Sequence, residues 1–199
     1  MHCYFETHRA TLDGALQAAA QRTYWSAAPE TPSGKIYGET AKTDAEVAFK
    51  AQLGNPFEMN HPGRKRLGKE DSPWGFPLGV TYPSASIDEL VAASRAAGAA
   101  WAAAGIEART GVCLEIVHRL NKQSFAIANA VQHTSGQPFV MAFQAGGPHA
   151  QDRALEAVAY AYLEMTKVPA KARWEKPQGG GQQALRIDKE WRIVRGELR

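Results

Sequence analysis

Cysteine and histidine, two of the residue types that carry covalent or acid–base chemistry, are both sparse in this chain. The cysteines are Cys3 and Cys113, far apart in sequence. A thiolate at Cys113 would be a candidate nucleophile, but the residue falls on an apolar helical stripe, where cysteine packs as a small hydrophobe. Two unpaired cysteines suit a reducing compartment. The histidines are His2, His8, His61, His118, His133 and His149. They contain no i,i+4 pair and no cysteine companion at ligand spacing, so no zinc site is expected. His133 and His149 flank helix ends, where capping a carbonyl is the expected role. Gly179-Gly180-Gly181 lacks a preceding strand, a following cap and the spacing of a phosphate loop. The basic run Arg64-Lys65-Arg66-Leu67-Gly68-Lys69 is followed at once by Glu70-Asp71 and carries no interleaved aromatics, so it reads as a solvated loop and not a nucleic-acid surface. No catalytic, cofactor-binding or metal-ligating residue is assigned.

The elements that would position such groups are mostly helical. Residues 105–167 hold the longest helical periodicity. Val112, Cys113, Ile116, Val117 and Leu120 predict a core-facing stripe, with Glu115 and Arg119 paired on the solvated side. The pattern resumes through Phe125, Ile127, Ala128 and Val131 and stops at Gly136-Gln137-Pro138. A second helix is expected from Phe139, a break at Gly146-Gly147-Pro148, and then a long helix with Leu155, Val158, Tyr162 and Met165 on one stripe.

Earlier in the chain, Thr11 is the expected cap of a helix over residues 12–22, with Leu12 and Leu16 inward. Pro29, Pro32 and Gly34 end regular structure. Thr43 to Glu46 has capping-box spacing ahead of Val47, Phe49 and Leu53, and Ser86 to Glu89 has it again ahead of Leu90, Ala97 and Trp101. Trp101 is the expected packing anchor of that helix. Between them, the Pro- and Gly-rich residues 56–83 read as a long irregular connection. After residue 168, Pro177 and the three glycines predict a linker. Leu185, Ile187, Trp191 and Ile193 then face one way along a half-exposed strand or hairpin.

Composition narrows the class. The chain has 199 residues with a net charge of +3, too mild to imply a nucleic-acid partner. Alanines number 35, while Leu, Ile, Val and Phe together number only 36. That supply of core volume points to Ala-faced helices packed closely on one another and on a partner surface. The start has neither a basic n-region nor an apolar h-region, and no window reaches about 18 apolar residues, so a soluble cytoplasmic protein with no membrane span is expected.

Several longer runs carry a family resemblance. Helix, then Thr134-Ser135-Gly136-Gln137-Pro138, then helix resembles the N-terminal part of the aldehyde dehydrogenase superfamily. The runs Tyr24-Trp25-Ser26, Tyr37-Gly38-Glu39, Gly75-Phe76-Pro77-Leu78-Gly79-Val80-Thr81-Tyr82-Pro83, and the segment from Phe139 to Arg153 resemble the phenylacetic-acid degradation type (PaaN). The resemblance implies a mainly α chain, the N-terminal helical part of an aldehyde dehydrogenase-like α/β fold with a C-terminal strand or hairpin. It divides into N-terminal helices and irregular segment (1–85), helical core (86–168), linker (169–184) and truncated bridging strand (185–199).

Such an enzyme forms a thiohemiacetal on cysteine, passes hydride to NAD or NADP, and hydrolyses the thioester with a glutamate base. In the family those parts lie downstream of the segment present here, and no βαβ alternation that could build a dinucleotide fold occurs in this chain. Two readings stand. The chain is the N-terminal fragment of an NAD(P)-dependent oxidoreductase of aromatic catabolism, itself inactive and binding no cofactor, or it is a free-standing helical binding or scaffold module derived from that enzyme. Family members follow a Pro-Arg-Gly run with an apolar strand, whereas here Val194-Arg195-Gly196 leads to Glu197-Leu198-Arg199. Truncation, frameshift or incompleteness is therefore expected. The expected partners are the remainder of the enzyme or another subunit, engaged from Leu185 to Val194, with the full-length family homo-oligomeric.

Overall fold

The structure is a computed structural model that describes residues 2–168, 171–177 and 184–190, with side chains over residues 4–168. Two short helices open it, α1 (His2–Thr7) and α2 (Arg9–Gln21), jointed at His8. The cap expected at Thr11 is corrected: α2 begins three residues earlier, because His8 closes α1 through its amide to Tyr4 and opens α2 through its carbonyl to Leu12. Arg22 ends α2 in the left-handed conformation. A further helix, α3 (Gly34–Tyr37), caps on Ser33 in a stretch expected to be irregular. α4 (Ala41–Gln52) starts from Thr40, so Thr43 lies inside it and is no cap.

The Pro- and Gly-rich connection folds into small hairpins. β1 (Lys65–Leu67) pairs antiparallel with β4 (Tyr82–Ser84), and β2 (Asp71–Ser72) with β3 (Phe76–Pro77). Gly75, at φ +86°, makes the tight turn between the last two, a conformation that suits glycine. Arg66 in β1 is spent inside this unit: its guanidinium donates to the carbonyls of Phe57 and Thr81 and to Glu58 at 2.8 Å.

α5 (Ile87–Ala103) opens on the expected capping box, with Glu89 N–H donating to the Ser86 hydroxyl and Ser86 N–H to the Glu89 carboxylate at 2.7 Å. None of its side chains is buried, and Trp101 is 45 % exposed. The packing anchor expected at Trp101 is thus corrected, since α5 touches little besides α6. The long helix expected from residue 105 into the 130s is two: α6 (Gly105–Lys122) and α7 (Ser124–Ser135), parted at Gln123. The buried Ser124 hydroxyl donates to the Asn121 carbonyl at 2.7 Å and accepts from Gln151, which turns the chain there. α8 (Phe139–Gly146) and α9 (Pro148–Thr166) follow, with Pro148 at the first position of α9, as the Gly-Gly-Pro break predicts.

The expected stripe on α6 is also corrected. Its buried positions are Thr110, Gly111 and Leu114, whereas Ile116 and Leu120 are exposed and Val112, Cys113 and Val117 half-buried. α6 is placed by backbone contact. A Cβ on Gly111 would lie 2.5 Å from the Phe5 nitrogen, so α1 rests directly on the helix. One core joins Phe5, Leu12, Ala15, Leu114, Leu155 and Ala159, and a second joins Ala45, Phe125, Ala128, Ala142 and Phe143. Past α9, β5 (Lys171–Pro177) pairs antiparallel with β6 (Ala184–Glu190), so a strand occupies part of the expected linker. The three glycines, Trp191, Ile193 and Val194 lie outside the described residues.

Candidate functional site

Cys113 sits on α6 in a cleft of about 260 Å³ against α5 and α9, lined by Trp101, Arg109, Val158 and Met165 among others. Among the described residues, no histidine or carboxylate lines it. Arg109 donates to the Met165 sulfur at 3.8 Å. The described lining, largely apolar around the thiol, suits an apolar side chain and places no base beside Cys113.

The first polar constellation lies where α1, α2 and α6 meet. His8 Nε2 and Glu115 Oε2 are 2.6 Å apart, and Arg119 donates to the other Glu115 oxygen at 2.6 Å and to the Tyr4 hydroxyl at 3.2 Å. Hydrogen bonds from His8 and then Arg119 hold the Glu115 carboxyl below its ordinary value. His118 lies 5.1 Å from His8, ring to ring, and burial, followed by the charge of Lys122, depresses its basicity. No group of three or more histidine, cysteine, aspartate or glutamate side chains that could hold a metal occurs among the described residues. This network ties the joint at His8 to α6; both Glu115 oxygens are already engaged.

The second constellation centres on His133 near the end of α7. Its Nδ1 is 3.0 Å from the Ser72 hydroxyl, and its ring stacks on Phe49 of α4 at 4.5 Å and 16°. Trp74 and Phe76 close round it. Burial lowers its basicity, which favours the neutral imidazole. The carbonyl-capping role expected of His133 is therefore corrected: the residue joins the β2–β3 hairpin to α7. His149 likewise meets Glu30, at 3.1 Å, and both are exposed. A third polar group is structural: Asn121 donates to Gln151, and Gln151 to Ser124, among α6, α7 and α9. Tyr37, whose hydroxyl accepts from Asn121 and donates to the Pro29 carbonyl, is pushed up by burial.

Sequence spacing could not have found the His8–Glu115 and Ser72–His133 pairs, which join residues 107 and 61 positions apart. No described helix is long and apolar enough to cross a membrane.

No family model matches this sequence, and no curated protein does. The helices and hairpins match part of the aldehyde dehydrogenase fold. The match is to the crystal structure of an NAD-dependent aldehyde dehydrogenase from Burkholderia multivorans, at a TM-score of 0.89 and 51% identity. It covers 96% of this chain but 34% of that one, so the chain spans about a third of the length of its structural neighbour.

Proposed function

We propose that this chain is the N-terminal part of an NAD(P)-dependent aldehyde dehydrogenase of the phenylacetic-acid degradation type, an enzyme that oxidises an aldehyde to an acid in aromatic catabolism. Alone, it is catalytically silent. The observation that carries this is the pairing of 51% identity over nearly the whole chain with coverage of only a third of the neighbour. The neighbour is NAD-dependent, which supports NAD as the cofactor of the whole enzyme.

The chemistry agrees. Thiohemiacetal formation needs an activated thiolate within reach of a bound aldehyde and nicotinamide, and the Cys113 cleft offers no base. The exposed apolar residues Ile87, Leu90 and Val91 of α5 are where the remaining two-thirds of such an enzyme packs. The segment from Leu185 to Val194 serves subunit association, in a cytoplasmic homo-oligomer.

The test is to mix the purified chain with NAD or NADP and a panel of aliphatic and aromatic aldehydes, alone and with a polypeptide corresponding to the unmatched two-thirds of the neighbour. No reduction by the chain alone, and a one-to-one complex on mixing, are expected. Aldehyde-dependent reduction by the chain alone that is abolished in Cys113→Ser, or failure of two folded pieces to associate, overturns the reading.

A further inference from the structure

We propose that the cleft between α4 and α7 is a binding site for a small planar aromatic carboxylate. Its volume is about 480 Å³, within the range of small-molecule sites. One wall is a single face of α4, where Lys42, Glu46, Phe49, Lys50 and Leu53 recur at helical spacing. The other is α7, with Asn129, Gln132 and His133, and Phe76 and Phe139 complete the lining.

Three features select the ligand. The apolar lining is largely aromatic: Phe49 already stacks on His133, and Phe76 stands 5.5 Å from the same ring, a geometry that takes a further flat ring. Lys42 and Lys50 both line the cleft, and neither forms an ion pair with a described carboxylate. Lys42 instead sits 5.5 Å from the Phe139 ring centre. Two ammonium groups against the single Glu46 leave the cleft net positive. The third feature is the second imidazole nitrogen. Ser72, whose hydroxyl accepts from Trp74 N–H at 3.2 Å, engages His133 Nδ1 at 3.0 Å, which leaves Nε2 with no hydrogen-bond partner among the described residues. A ring between the phenylalanines with its carboxylate toward the lysines uses all three features, and none of them touches Cys113.

Ligand-observed NMR and calorimetry on the 199-residue chain test this with 3-phenylpropionate, its neutral amide and 3-cyclohexylpropionate. The site predicts saturable one-to-one binding of 3-phenylpropionate at about a millimolar or tighter, with a shift of the His133 ring protons. The amide and the cyclohexyl acid bind more weakly. Lys42→Ala with Lys50→Ala weakens the acid about three- to tenfold and leaves the amide unchanged, while a control lacking Lys122 and Lys167 binds normally. Phe49→Leu weakens both ligands. No saturable binding at ten times that concentration overturns the proposal, as do equal losses for acid and amide in the lysine variant. If Phe49→Leu fails to fold, the lysine variant and the ligand series decide alone.

Discussion

Replacing glycine by alanine at two helical positions should have opposite effects. In a helix interior alanine is favoured by about 0.8–1 kcal/mol. At Gly98, in α5, no atom of the described residues lies within 4 Å of the added carbon, and the expected result is a gain of about that size. At Gly111 the same carbon would stand 2.5 Å from the Phe5 nitrogen, 2.9 Å from its Cα and 3.0 Å from the Tyr4 carbonyl carbon. Carbon contacts settle near 3.5–4.0 Å, so α1 must retreat by about 1 Å. α1 is six residues long and is held chiefly by Phe5, whose side chain is wholly buried among Leu12, Leu114 and Leu155.

If α1 shifts with Phe5 still seated, overpacking costs about 1–3 kcal/mol; if Phe5 is pulled out, the cost approaches the ~3–5 kcal/mol of losing a core phenylalanine. After the propensity gain is subtracted, Gly111→Ala should destabilise by about 0–2 kcal/mol with Phe5 seated and about 2–4 with it pulled out, which places it about 1–5 kcal/mol below Gly98→Ala. Urea denaturation followed by helical circular dichroism measures both, and hydrogen exchange of the α1 amides separates a shifted helix from a detached one. A Gly111→Ala chain stabilised as much as Gly98→Ala would mean that α1 does not rest on α6.

Acid should act in two stages. Burial holds His133, and burial with Lys122 holds His118, below the ordinary histidine value. The folded chain then binds fewer protons than the unfolded one, so their contribution is complete above about pH 6.5 and is lost as pH falls below it. The loss between pH 7.5 and 5.5 should shrink in a His118→Gln, His133→Gln chain; an unchanged loss refutes the assignment. Glu115 and Glu89, held down by hydrogen bonds from His8 and from Ser86, lose their contribution only below the ordinary carboxyl range. Leu114→Asp should cost several kcal/mol while Ile116→Asp stays within about 0.5, and equal denaturation midpoints would put the core face of α6 elsewhere. Ser86→Ala should cost about 0.5–2 kcal/mol, seen as lost α5 helicity.

Local physics made some features legible. The capping box at Ser86, the stop at Gly136 and Pro138 and the break at Gly147 and Pro148 each depend on a few adjacent residues, and each stands where the sequence puts it. The caps proposed at Thr11 and Thr43 failed because the true starts rest on tertiary anchors: His8 is drawn to Glu115, and Tyr37, just before α4, packs edge-on against Phe125 and Phe143. The division at Gln123 was hidden for the same reason. Asn121 and Ser124 look like ordinary helix-surface residues until Gln151, on another helix, satisfies them. The polar constellations were out of reach of any spacing rule, since a histidine alone does not name a partner dozens of residues away.

The face of α6 shows why apolar periodicity can mislead when it is strong. Apolar side chains occur on two sides of this helix. Leu114, with Thr110 and Gly111, meets α1 and α9, while Ile116 and Leu120 point outward, as do Ile87, Leu90 and Val91 of α5. A hydrophobic pattern records every surface a helix covers in its working assembly, and it does not say which of them the same chain supplies. In this chain the inner face of α6 was settled by the absence of a side chain at Gly111, which a count of apolar residues scores as nothing. The more regular stripe, the one periodicity selects, runs through exposed Ile116 and Leu120 and half-buried Val112, Cys113 and Val117. Exposed apolar positions such as Ile116 and Leu120 offer a surface that a partner can cover, and in the proposed enzyme the remainder of the chain would cover it.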